Sequence, residues 1–168
     1  QHNKDIANNV AFWHFHPEVE LVYVNKGQGK RHIGNHLSYF NNSMLVLIGA
    51  NLPHNGFVDR LTTNGTETIV QFKLDFLGKI FYNIPEMSNI NALFERAKKG
   101  IIFKPETKKV VGPKIESLLE HQGMSRVIKL LEILSDRLLS ICVCGSLTRG
   151  CFHPETSDVD IIVVVHEG

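Results

Sequence analysis

The residues best suited to chemistry stand in one short run, His14-Phe15-His16-Pro17-Glu18-Val19-Glu20, joined later by Pro53-His54. In an extended strand side chains alternate, so His14, His16 and Glu20 share one face while Leu21 and Tyr23 point the other way. Two imidazoles and a carboxylate, completed by His54 from a distant strand, make a three-His, one-Glu donor set for Fe, Mn, Ni or Zn, with positions open to water or substrate. The other reading keeps the same histidines without metal, lining a pocket for an organic ligand or bonding to backbone groups. His32 and His36 flank a turn and are expected in solvent, and Trp13 is expected in the core.

A second constellation lies near the C-terminus. Ile141-Cys142-Val143-Cys144 reads as a strand, Gly145-Ser146-Leu147-Thr148-Arg149-Gly150 as a turn whose amides can approach a phosphate, and Val159 to Val165 as a buried strand. Asp158 and Asp160 are two apart, so in a strand they face the same way and can hold a divalent ion such as Mg²⁺ against a triphosphate. The three cysteines, Cys142, Cys144 and Cys151, all fall in this stretch, which marks a break in composition. Their spacing suits neither a zinc site nor a disulfide framework, so they read as buried thiols.

Three kinds of element must position these groups. From Val10 to Lys73 short apolar runs alternate with turn residues, predicting strands at Val10 to Trp13, Val19 to Asn25, Lys30 to Ile33, Leu37 to Phe40, Met44 to Ile48, Phe57 to Arg60 and Thr68 to Lys73. Gly27-Gln28-Gly29, Gly34-Asn35, Asn41-Asn42-Ser43 and Asn64-Gly65 are the predicted turns. Strands so short and so closely spaced fit a sandwich or barrel.

After Pro85 the period becomes helical. Ile90, Leu93, Phe94 and Ala97 form one apolar face that Gly100 ends, and Ile101 to Phe103 returns as a short strand. Thr107 to Gln122 places Val110, Val111, Ile115, Leu118 and Leu119 on one face, with a kink or a restart expected at Gly112-Pro113. Ser125 to Ser140 carries an apolar surface wider than one neighbouring helix covers, which fits a dimer contact or a missing neighbour as well as burial against the barrel alone.

With 168 residues and 43% apolar content the chain can bury a core, and a net charge of +1 gives no long-range field to draw in nucleic acid or an anionic membrane. No run approaches the roughly 20 apolar residues of a membrane helix. Gln1 to Asp5 lacks the basic and apolar regions of a signal peptide, so the expected compartment is the cytoplasm.

His14-x-His16, Glu20 and Gly27 resemble the first motif of the cupin superfamily, while Pro53-His54 matches the second only in part, since Val58 stands where its asparagine would. The wider run His14 to Leu21 with Leu47 to His54, the Phe72 to Phe76 segment, Gly100-Ile101-Ile102-Phe103 and two closing helices are similar to the N-terminal domain of AraC-type transcription regulators, over residues 10 to 139. That resemblance implies a mainly β chain, a cupin-like jelly-roll barrel followed by amphipathic helices, that binds a small-molecule effector and forms a homodimer. The family's two helix-turn-helix units are not expected after Ser140, so no operator binding is expected of this chain by itself.

Gly145-Ser146, eleven residues, then Asp158-Val159-Asp160-Ile161 looks like the signature of the polymerase-β-type nucleotidyltransferases. By that resemblance Ser146 would contact nucleotide phosphates, Asp158 and Asp160 would bind metal, and Arg149 would assist. The family's third carboxylate belongs to a later strand, so a short hairpin-like tail docked on a sheet edge is expected in preference to a working nucleotide site.

The expected organisation is therefore a barrel over 1–84, a helical dimerisation segment over 85–140 and a nucleotidyltransferase-like fragment over 141–168. The leading functional expectation is the ligand-sensing and dimerisation part of an AraC-type regulator, which needs no catalytic residue. A metal-dependent cupin enzyme and nucleotidyl transfer by the tail are the alternatives.

Overall fold

The computed structural model describes residues 13–55, 58–61, 64–136 and 162–167. Strand β1 (Val19–Ile33) and strand β2 (His36–Ile48) form one long antiparallel hairpin, closed at Gly34-Asn35 where Gly34 takes a φ of +54°. Strand β3 (Val58–Leu61) pairs with the second half of β1, and strand β4 (Thr66–Phe72) with the first half, from Val19 opposite Phe72 to Val24 opposite Glu67. Helix α1 (Ser88–Ala97) leads into strand β5 (Ile101–Ile102), which adds to β2. Helices α2 (Pro105–Glu116) and α3 (Gly123–Asp136) follow, and strand β6 (Ile162–Glu167) lies antiparallel on β4. The sheet order is β5-β2-β1-β4-β6, with β3 on β1.

Two of the predicted turns are not turns. Gly27-Gln28-Gly29 lies inside β1 and Asn41-Asn42-Ser43 inside β2, with Gly27 opposite Asn42 across the ladder. The register shifts between Val24 and Gly27, and Asn42 has a φ of +76°. Residues able to take positive φ here bend and twist a continuous hairpin instead of reversing it. That bend lets one strand pair with β4 at one end and β3 at the other.

The sheet is open: β5 and β6 stand at its two ends, and a jelly-roll barrel is not formed among the described residues. Nor is the chain mainly β, since strand and helix contribute about equally to the described residues. The helices pack against one face of the sheet. Val19, Leu21, Tyr23, Leu45, Leu47, Val70 and Phe72 on that face share a core with Leu93, Phe94, Val111, Ile115, Leu118, Leu130, Ile133 and Leu134.

The helices follow their predicted periods with local changes. Gly100 ends α1 with a φ of +72°, and its neighbours Ile101 and Ile102 pair with Leu47 and Val46. Helix α2 continues through Pro113 without a restart and gives way to a 3-10 turn, Ser117–Glu120. Val111, Ile115 and Leu118, spaced as one helical stripe, are buried, while Val110, beside that stripe, and Leu119, in the 3-10 turn, are exposed. In α3, Leu130, Ile133 and Leu134 are buried and Met124 and Ile128 exposed. Among the described residues no helix is long and apolar enough to cross a membrane.

Alternation along β1 sends Glu20, Val22 and Val24 to the face opposite the helices. There Val22, Val24, Ile33, Phe40, Met44, Val46 and Ile48 form a second apolar cluster. Glu20, a charged residue on this face, is buried.

Candidate metal and ligand site

The four sequence-predicted groups, His14, His16, Glu20 and His54, meet at one end of that second face. His14 and His16 do not lie on one strand with Glu20 as expected. β1 begins only at Val19, and the chain bends at Pro17-Glu18, where proline supplies no N–H to a ladder. His14 is placed instead by an isolated antiparallel bridge to His54, with each residue's N–H donating to the other's carbonyl at 2.9 Å. The His54 segment is fixed by further backbone bonds: Gly34 N–H to the Pro53 carbonyl at 2.7 Å, and Asn51 N–H to the His16 carbonyl at 2.8 Å.

Through these bonds the side-chain donor atoms of His14, His16 and His54 come within 4.8 Å of one another. Ring centroids are 4.3 Å apart for His14 and His54 and 5.2 Å for His16 and His54. The Glu20 carboxylate closes the group, with Oε2 3.0 Å from His16 Nε2 and Oε1 3.7 Å from His54 Nε2. His54 is buried, His16 intermediate and His14 exposed, so the cluster opens to solvent on the His14 side.

The electrostatics divide the histidines. Burial holds His54 below the ordinary imidazole range, against the pull of its backbone bond and of Glu20. Its Nδ1–H donates to the Leu52 carbonyl at 2.8 Å, because a carbonyl can only accept, and this leaves the lone pair on Nε2. That is the tautomer a metal ligand needs. His16 is raised, chiefly by its hydrogen bond to Glu20, and its Nδ1 lies 3.5 Å from Glu18 Oε2. Burial alone would raise Glu20, but hydrogen bonds from His16 and Gln71 and the proximity of His54 hold it below the ordinary carboxylate value.

Two members of the site were not legible in the sequence. Gln71, directly across the ladder from Glu20, donates from Nε2 to Glu20 Oε2 at 2.6 Å. Glu67, on the same face of β4, is pushed up to about 7 by burial and then by the charge of Glu20. Period-two alternation puts Glu67, Ile69 and Gln71 on one face, but only the β1–β4 register brings that face to Glu20.

Other expectations change. Trp13 is half exposed and its ring lies 4.4 Å from that of His32, so it is a surface residue and not core. His32 and His36 are half-buried instead of solvated. Gly145, Ser146, Arg149, Asp158 and Asp160 lie outside the described residues, as do Cys142, Cys144 and Cys151.

Three nitrogens with a borderline preference and one carboxylate oxygen are a donor set for a divalent transition ion, with His54 already in the right tautomer. Compared with known families, residues 127–168 match the nucleotidyltransferase domain. The match begins inside α3, earlier than the fragment expected from 141, and so takes in Leu130, Ile133 and Leu134 of the main core. Compared with curated proteins and with solved structures, the chain finds no match.

Proposed function

We propose that this chain is the ligand-sensing and dimerisation part of an AraC-type regulator, and that its sensing site is the His14, His16, His54 and Glu20 cluster, which takes up a divalent transition metal. The observation that carries this is the convergence of three imidazole donors within 4.8 Å of one another beside a buried carboxylate. Bound there, the ion would join the segment around His14 and His16, the start of β1, and the loop that carries His54. The exposed apolar residues Val110, Leu119, Met124 and Ile128 on the helical side support a contact between two copies.

Metal analysis of tag-free protein tests the reading, with thermal shift on adding Zn²⁺, Ni²⁺, Mn²⁺ or Fe²⁺ and sedimentation alongside. One equivalent of bound metal and a higher Tm are expected, both lost in His54→Ala. Protein that takes up no metal and gains no stability from any of the four overturns the reading.

The nucleotidyltransferase match favours a second reading, in which Gly145, Ser146, Arg149, Asp158 and Asp160 hold a Mg²⁺-nucleoside triphosphate. Calorimetry with Mg²⁺ and each triphosphate decides it. Absence of binding heat with all four removes nucleotide binding.

A further inference from the structure

We infer that a cleft between the segment after β4 and helix α1 binds a single free amino acid with an apolar side chain, its ammonium on Asp75 and its carboxylate on Lys79. The cleft draws on none of the residues of the histidine cluster and does not depend on the metal reading.

The cleft has a volume of about 260 Å³. That is below the roughly 300 to 1,000 Å³ of drug-sized sites and suits one small metabolite. Leu74, Tyr82 and Phe94 supply its apolar wall, with the two rings 6.2 Å apart between centroids. A tight turn presents the charged groups: Gly78, with a φ of +86°, donates its N–H to the Asp75 carbonyl at 2.7 Å and accepts from the Phe81 N–H at 3.1 Å. Asp75 and Lys79 flank that turn on a fixed backbone.

The lining points to a zwitterion. Asp75 and Lys79 carry opposite charges, yet among the described residues neither side chain makes an ion pair or a hydrogen bond. Asn91 Nδ2 donates to the Tyr82 carbonyl at 2.6 Å, which leaves Oδ1 as an acceptor for an ammonium beside Asp75. Glu95 also lines the cleft, but Lys98 Nζ lies 2.7 Å from both of its carboxylate oxygens, so Asp75 is the carboxylate left for a cation. Tyr82 is buried and its hydroxyl has no partner among the described residues. Burial, and then the charge of Asp75, hold that hydroxyl above the ordinary phenol range, so it keeps its proton. A buried donor left unpaired is costly, and a ligand in the cleft offers the acceptor that the described residues do not. Open to solvent, each charge pair is worth little by itself, so binding needs both charges and an apolar group on Leu74 and Phe94.

Titration of the full chain with L-leucine and L-phenylalanine, followed by NMR, tests this. Saturable shifts are expected at residues lining the cleft. N-acetyl-leucine and leucinamide, each lacking one of the two charges, should bind about 3 to 10-fold more weakly. Asp75→Asn and Lys79→Gln should each weaken leucine binding by a similar factor. No saturable shift from either amino acid overturns the inference. So does equal affinity for the one-charge analogues, or full affinity in both variants, because the ligand would then be held without Asp75 and Lys79.

Discussion

The ring of Tyr23 fills the space that a side chain at Gly112 would need. A methyl group there would coincide with Cζ, Cε2 and the hydroxyl of Tyr23. Tyr23 is buried on the helix-facing side of β1, so this contact sets how closely α2 approaches the sheet. In an exposed helix Gly→Ala gains about 1 kcal/mol. Here Gly112→Ala should instead destabilise by about 1 to 3 kcal/mol, because the core must open to admit one carbon. Urea denaturation measures it. Pairing it with Tyr23→Val should recover much of the loss, and additive costs would count against the contact.

The Glu67 carboxyl makes stability depend on pH. Its folded value of about 7 lies above the ordinary 4.5, so the folded state holds the proton more tightly. The benefit is complete below 4.5 and is lost as pH rises through 7. In chelator-treated protein Glu67→Gln should match the parent at pH 4 and exceed it by on the order of 2 kcal/mol at pH 8. A constant difference between the two pH values would show that Glu67 is not held protonated.

Helix α3 belongs to two descriptions at once, the core of the sheet and the start of the nucleotidyltransferase match. Leu134 is fully buried in that core. Leu134→Ala should cost about 2 to 5 kcal/mol and lower the protection of β1 amides against hydrogen exchange. If residues 127–168 folded apart from the sheet, β1 would be untouched.

Strand β6 covers the β4 edge from Thr66 opposite Glu167 to Gln71 opposite Ile162. Deleting residues 162–168 should speed exchange of the β4 amides that face β6 and leave the β1–β2 hairpin protected. Unchanged β4 exchange would mean that this pairing is not populated in solution.

Elements whose signal is local were legible from sequence. The face of α1, the glycine stop at Gly100, the return strand at Ile101 and the turn at Gly34-Asn35 each rest on spacing and on a residue able to take positive φ. The same local reading failed at Gly27, which sits at a register shift, and at Asn42, whose positive φ serves a bend within the strand as readily as a reversal. At α2 it failed because the buried stripe, Val111, Ile115 and Leu118, is narrower than the face expected, which leaves Val110 and Leu119 exposed.

For the candidate site, the sequence by itself determined the donor types, His14, His16, Glu20 and His54, because imidazole and carboxylate chemistry is carried by residue identity. Only the tertiary structure decided how they meet: the His14–His54 bridge, the bend at Pro17 and the register that sets Gln71 against Glu20 and Glu67 on the same face. The physical reason is that strand pairing is non-local. A shift of one residue between β1 and β4 would turn Gln71 and Glu67 to the helix side, and nothing in either strand alone fixes that choice.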